Sequence, residues 1–249
     1  MSTEHDVQAR YTVDEAVDML RSFAVVDLSQ TLEEGIPFHQ EHSRYFHMLW
    51  ESYYHGDMAV DYQIIMNEHS GTHVDATAHF MRDGHPQHIW IDEVDPSRIV
   101  GRAAVINVES AVRNGEYGVD VVAEFEQSNG TIREGDIMLF HTGWSRKWGV
   151  RPDHKEYTKG YPGPNHDLIG WMKERNLRAI GSDTLAFDTE PPGQYHSHWE
   201  LLAEGVHIIE NLKNLELLPP FVLFVALPLK IKGGSASPIR AVAYVPPGH

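Results

Sequence analysis

The hydrophobic pattern opens with a helix signal. Thr12 and Glu15 have capping-box spacing, and Val13, Ala16, Val17, Leu20 and Phe23 form one apolar stripe. Ala24 to Leu28 then reads as a buried strand with Asp27 near its end. Residues 29–58 show neither period and are rich in His and aromatics, as a long loop covering a site would be. Val60, Tyr62, Ile64 and Met66 alternate with Asp61, Gln63, Ile65 and Asn67, which predicts a strand running toward His69. Further strands are expected at Ala103–Val108, Asp136–Thr142, Ala179–Ser182, His207–Glu210, Phe221–Ile231 and Ala241–Val245. Helices are expected at Val119–Gln127, His166–Asn176 and Trp199–Glu204. The mixture predicts an α/β or α+β protein, with residues 1–249 as a single domain.

Composition narrows the class. The 249 residues carry 20 Lys and Arg against 36 Asp and Glu, a net charge of −16. Such a surface repels phosphate backbones and anionic lipid, so neither nucleic acid nor membrane is an expected partner. The longest apolar run, Phe221 to Leu227, is too short to span a bilayer. The polar, acidic start of the chain lacks a signal-peptide pattern, and a cytoplasmic protein is expected. There is no Cys, which excludes thiolate chemistry and Cys-ligated zinc. The 17 His are raw material for a metal site built of imidazole and carboxylate.

Three ligand-type residues fall within seven positions: His69, His73 and Asp75. His73 and Asp75 are two apart, so on an extended chain they share a side. Gly71 permits a turn that returns His69 beside them. Two imidazoles and a carboxylate suit zinc, manganese or iron(II), and three protein ligands leave a coordination position open. A His-rich chain also produces such spacings by chance, and structural His on a polar loop is the bland alternative.

The segment His69-Ser70-Gly71-Thr72-His73-Val74-Asp75-Ala76-Thr77-Ala78-His79 resembles the H-x-G-T-H-x-D-x-P-x-H motif of the cyclase family, which includes bacterial kynurenine formamidases and isatin hydrolases. Val26-Asp27-Leu28-Ser29, Gly135 to Leu139 with Thr142-Gly143-Trp144, Tyr161-Pro162-Gly163, Gly181 to Thr184, His198 through Leu212, and Pro228-Leu229 with Gly233 to Ala241 follow in the family's order. The resemblance implies a cyclase-family α/β fold, a central mixed β-sheet or barrel-like core flanked by helices. It implies that His69, His73 and Asp75 bind a first divalent metal, and that His198 and Glu210 hold a second with carboxylate bridging. Isatin hydrolases, by similarity, use one manganese, so zinc or manganese and one or two ions are all consistent. His79 matches the family's proton donor and acceptor. The implied reaction is hydrolysis of the C–N bond of an aryl or cyclic amide by metal-activated water. The family is commonly homo-oligomeric, with aromatics of a neighbouring subunit completing the pocket. One residue departs from the pattern: the motif's proline is Thr77 here.

Other residues keep two readings each. Phe38, Phe46, Trp50, Tyr53 and Tyr54 precede the ligands and could contact an aryl substrate or pack among themselves; Trp144, Phe187 and Trp199 share the ambiguity. Asp183 could orient a ligand imidazole or cap a turn. Asp27 reads as a backbone tie, and the 233–238 loop, lacking a P-loop Lys, as structural. Two other activities stay open: a family enzyme acting on another small carbonyl compound, and a metal-dependent small-molecule binder without turnover, in which His79 would have no purpose.

Overall fold

The computed structural model describes residues 11–189 and 195–248. Residues 1–10, on which the reading of the polar start rests, lie outside them. The strands are β1 (Ala24–Asp27), β2 (Phe46–Glu51), β3 (Asp61–Ile65), β4 (His73–Asp75), β5 (Val100–Asn107), β6 (Glu116–Tyr117), β7 (Ile137–His141), β8 (Gly163–Pro164), β9 (Ala179–Ser182), β10 (His207–Glu210), β11 (Phe221–Val225), β12 (Ala236–Pro238) and β13 (Val242–Val245). The α-helices are α1 (Val13–Arg21), α2 (Asp120–Asn129), α3 (His166–Glu174) and α4 (His196–Ala203).

Nine strands form one sheet in the order β1-β13-β11-β5-β7-β9-β10-β4-β12. Its centre, β5-β7-β9-β10, is parallel, and both flanks are antiparallel. The sheet curls into a half-barrel. The two-residue period of each strand divides the core accordingly. Ala103, Val105, Ile137, Leu139, Ala179 and Ile209 fill the inside of the curl. Ala104, Ile106, Met138, Phe140, Ile180 and Ile208 face Val121, Phe125, Leu168, Met172 and Leu201 of the helices. Burial on both faces explains why the central strands read as continuous apolar runs.

The mixed α/β expectation and the helical positions hold, with boundaries shifted by a few residues. The predicted strand 221–231 stops at Val225, and Pro228 instead makes an isolated bridge to Ile239. Proline has no N–H for a ladder. The alternating segment near residue 60 pairs only with β2, in a two-stranded ribbon apart from the main sheet. All residues of both its strands are exposed. The short strands β4 and β12 gave no periodic signal in the sequence. Among the described residues no helix is long and apolar enough to cross a membrane.

His207, buried in β10, faces the Asp75 carbonyl through Nδ1 at 3.1 Å. Burial, aided by the Arg98 charge, lowers its pKa from 6.5 to about 4, against the pull of the Asp75 contacts. The folded chain therefore keeps this ring neutral where the unfolded chain takes up a proton. The contribution is complete above about pH 6.5 and disappears as pH falls through about 4. His207→Asn keeps a donor near the Nδ1 position but cannot titrate. We expect denaturant titrations of the metal-free protein at pH 7.5 and pH 5 to differ less for this variant than for wild type. Equal pH dependence in the two would refute the assignment.

Candidate metal centre

The site lies where β4 meets β10. Register pairs His73 with Glu210 and Asp75 with Ile208 across the two antiparallel strands. Val74 points into the curl, so His73 and Asp75 project to the helical side together. Gly71 makes the preceding turn at φ +62°, and a Cβ there would lie 2.5 Å from Leu32 Cδ2. Glycine is thus favoured by the backbone, whose positive φ other residues rarely adopt, while the Leu32 side chain would have to shift to admit a Cβ. The turn carries His69 back until its Nδ1 lies 2.9 Å from Asp75 Oδ1.

His73 Nε2 is 3.5 Å from Asp75 Oδ1 and 3.3 Å from Glu210 Oε2. His198, from the first turn of α4, brings its Nε2 to 3.4 Å from Asp75 Oδ2 and 3.3 Å from Glu210 Oε1. All five sequence-predicted ligand positions therefore converge on one point, and Asp75 faces imidazoles with both oxygens. His79 ends a 3-10 turn, Thr77–His79, beside the cluster. Its ring centroid is 4.2 Å from that of His69 and 6.0 Å from that of His198. Donor atoms of His69, His73 and Asp75 lie within 4.8 Å of one another, and so do those of Asp75, His79 and His198.

The outer nitrogens are fixed. His73 Nδ1 donates to the Gly71 carbonyl at 2.8 Å, which Asn211 Nδ2 also reaches at 2.9 Å. His198 Nδ1 donates to Asp188, whose carboxylate also accepts the Ser197 and His198 amides at 2.6 and 3.4 Å. Glu210 Oε1 accepts the Phe187 amide at 3.0 Å. Each imidazole thus turns its second nitrogen inward, the arrangement of a metal ligand held by its neighbours.

Electrostatics supply a test of fit. His73 Nε2 and both Asp75 oxygens are buried without a hydrogen-bond partner. Burial raises the Glu210 carboxyl, but His198 and His73 bring it down to about 2. Burial likewise opposes ionisation of Asp75, yet the His69 charge and the imidazoles of His198 and His69 set against its oxygens hold it well below the usual range. Burial lowers His198 and His73, and the carboxylates reverse this: Asp188, Asp75 and Glu210 for His198, Glu210 and Asp75 for His73. Two buried carboxylates thus favour the charged form of the imidazoles that point at them. A divalent cation held by these residues would supply the same positive charge to the same place. His79 differs: burial lowers it to about 4 despite the Asp75 charge, so it is neutral at neutral pH.

Around the cluster the pocket is walled by His39, His42, Phe80, Leu185, Ala186 and Tyr195. None of Phe38, Phe46, Trp50, Tyr53 and Tyr54 lines it. Phe38 and Phe46 border a separate groove with Arg44, and Trp50, Tyr53 and Tyr54 are exposed. Phe187 is core, Trp144 stacks under Lys147, and Trp199 abuts Phe80. Asp183 binds the Thr142 amide and hydroxyl and the Ser145 amide, so it is a turn tie. Asp27 accepts the Ser29 amide and pairs with Arg240. Sequence reasoning missed the support given by Asp188 and Asn211. Asp188 sits ten residues before its imidazole, with no local pattern to announce it.

A curled mixed sheet bearing a buried His–carboxylate cluster, with a neutral imidazole beside it, is the frame of a divalent-metal centre. The chain belongs to the cyclase family, whose profile matches residues 26–189. It is 30% identical over 217 residues to the kynurenine formamidase of Geobacillus thermodenitrificans, spanning 87% of this chain and 95% of that one. It is 28% identical over 196 residues to the isatin hydrolase of Roseibium aggregatum, 74% of each chain. The solved isatin hydrolase A of Ralstonia solanacearum superposes with a TM-score of 0.84 at 30% identity, covering 95% of this chain and 98% of that one.

Thr77, the departure from the family motif, is a structural tie here. Its hydroxyl donates to the Gln87 carbonyl and accepts the Ile89 amide at 3.0 Å. Thr77→Val leaves both partners unmatched, and we expect a loss of about 1–3 kcal/mol with metal content unchanged. Thermal unfolding and elemental analysis measure the two, and unaltered stability would exclude the tie.

Proposed function

We propose that this enzyme hydrolyses the C–N bond of an aryl or cyclic amide, with His69, His73 and Asp75 holding one divalent ion. Asp75 carries the reading: its two buried, partnerless oxygens are faced by His69 and His73 on one side and His198 on the other. His198 and Glu210 would hold a second ion where two bind. Zinc and manganese both suit this donor set. A bound ion supplies Lewis-acid polarisation of the carbonyl and a water acidified to a pKa near 7.

The chain's own groups do the rest. Phe80, Tyr195, Leu185 and Ala186 form an apolar wall against which an aromatic ring can lie while its carbonyl faces the cluster. His79, neutral because it is buried, accepts the proton of the attacking water. The new C–O bond forms as the C–N bond breaks, and His79 returns the proton to the departing nitrogen. An aryl nitrogen is a weaker base than an alkyl one, which eases its departure. The products are a carboxylic acid and an amine, joined in one molecule when the amide was cyclic.

The exposed β2–β3 ribbon supports a homo-oligomer. Phe46, Met48, Leu49, Trp50, Tyr62 and Ile64 all stand in solvent, and Trp50 is 71% exposed. An isolated two-stranded ribbon with that much apolar surface is marginal alone. We read a second copy of this chain as its cover. Sedimentation should find wild type oligomeric and Trp50→Glu/Ile64→Glu monomeric; a monomeric wild type would dismiss the interface.

Two variants test the chemistry on isatin and N-formyl arylamines, with and without chelator. His73→Ala should lose its metal, and unchanged metal content would count against the ligand set. His79→Ala should keep its metal and lose turnover by about 10²–10⁴-fold. Retained turnover, or a parallel loss of metal that makes His79 a ligand, would remove the proton-carrier role.

A further inference from the structure

The loop Gly233 to Pro238 does more than close the chain. Ser235 Oγ lies 3.2 Å from His69 Nε2, the nitrogen turned away from Asp75. That hydroxyl donates to Glu68 Oε2 at 2.9 Å, and the Ser235 amide donates to the same oxygen at 2.8 Å. A hydroxyl has one proton. With it committed to Glu68, the Ser235 oxygen faces His69 as an acceptor.

We propose that Glu68 is a positioning residue that, through Ser235, keeps the proton of His69 on Nε2 and so leaves Nδ1 free to bind the metal. The inference rests on His69 being a ligand, as read above.

The surroundings hold this chain of three in place. The Ala76 amide donates to the Ser235 carbonyl at 2.9 Å, and the Ile91 amide to the Gly234 carbonyl at 2.8 Å. The loop is thereby tied to the end of the ligand strand. A Cβ on Gly234 would come within 2.8 Å of Ile91 Cγ2 and 3.0 Å of Glu68 Oε1, so glycine lets the carboxylate sit against the backbone. His69 itself is fixed from the other side, where its amide donates to Asn67 Oδ1 at 2.9 Å. His73 and His198 have their outer nitrogens set by a carbonyl and a carboxylate. His69 obtains the same polarity indirectly, from a carboxylate acting through a hydroxyl. Without Glu68 the serine can turn its proton toward Nε2. That favours the tautomer with its proton on Nδ1, where the metal must bind.

Competition with a chromogenic chelator for Zn²⁺ measures the effect without reference to turnover. Glu68→Ala and Ser235→Ala should each weaken Zn²⁺ binding by about 10–100-fold. The double variant should lose no more than the weaker-binding single one, because both break one chain. Glu68→Gln, whose amide oxygen can still accept the serine proton, should stay within a few-fold of wild type. Near-UV circular dichroism reports the fold of each variant. Should Glu68→Ala not fold, Ser235→Ala, which removes one oxygen atom, carries the same expectation against Glu68→Gln. Wild-type affinity in the alanine variants, or losses that multiply in the double variant, would overturn the proposal. His69→Ala is measured alongside: if it too binds Zn²⁺ as wild type does, the ligand assignment of His69 has failed instead.

Discussion

Two carboxylates buried side by side cannot both stay ionised unless positive charge is brought to them. Asp75 and Glu210 are in that position, on neighbouring strands and withdrawn from water. The structure answers with imidazoles on every side. His69 comes from the Gly71 turn, His73 from the same strand as Asp75, and His198 from the start of a helix whose first turn is anchored on Asp188. The turn, the strand pair and the helix together meet this one electrostatic demand. A divalent cation would meet the same demand, which is the physical basis of the metal site proposed above.

The scaffold makes such an expensive arrangement tolerable. Apolar side chains cover both faces of the central strands, and the cluster is built on strand and helix termini anchored in that core. Outer hydrogen bonds then fix each imidazole by the nitrogen that does not face the cluster. His79 stands apart in kind. It is less deeply buried than His73 and His198, and its pKa is lowered where theirs are raised, which is the basis of the proton-carrier role proposed above.

Much of the candidate site was legible in the chain because its strongest elements are local. A two-residue strand period puts His73 and Asp75 on one side, and a glycine between the two imidazoles announces a turn. The family's order of segments added His198 and Glu210, which no local rule connects to residue 75. The pocket walls were not legible. The five aromatics preceding the ligands had two readings, substrate contact or packing among themselves, and the chain carries Trp50, Tyr53 and Tyr54 out onto a ribbon and its loop and supplies Phe80 and Tyr195 to the pocket. Sequence nearness says little about which face of a loop meets a cavity.

The sequence by itself determined the class of donors, the absence of thiolate chemistry, the mixed α/β character and the turn at Gly71, because these depend on residue type and on neighbours within a few positions. Only the tertiary structure decided that Glu210 stands opposite His73, that Asp188 holds His198 and that Asp183 is merely a turn tie. It also decided that Ser235 and Glu68 stand behind His69. These are contacts between strands, loops and helices brought together by burial of a shared core, and the hydrophobic effect that drives it is indifferent to which polar groups it carries along. Register and loop path choose them, and neither is encoded in any one segment.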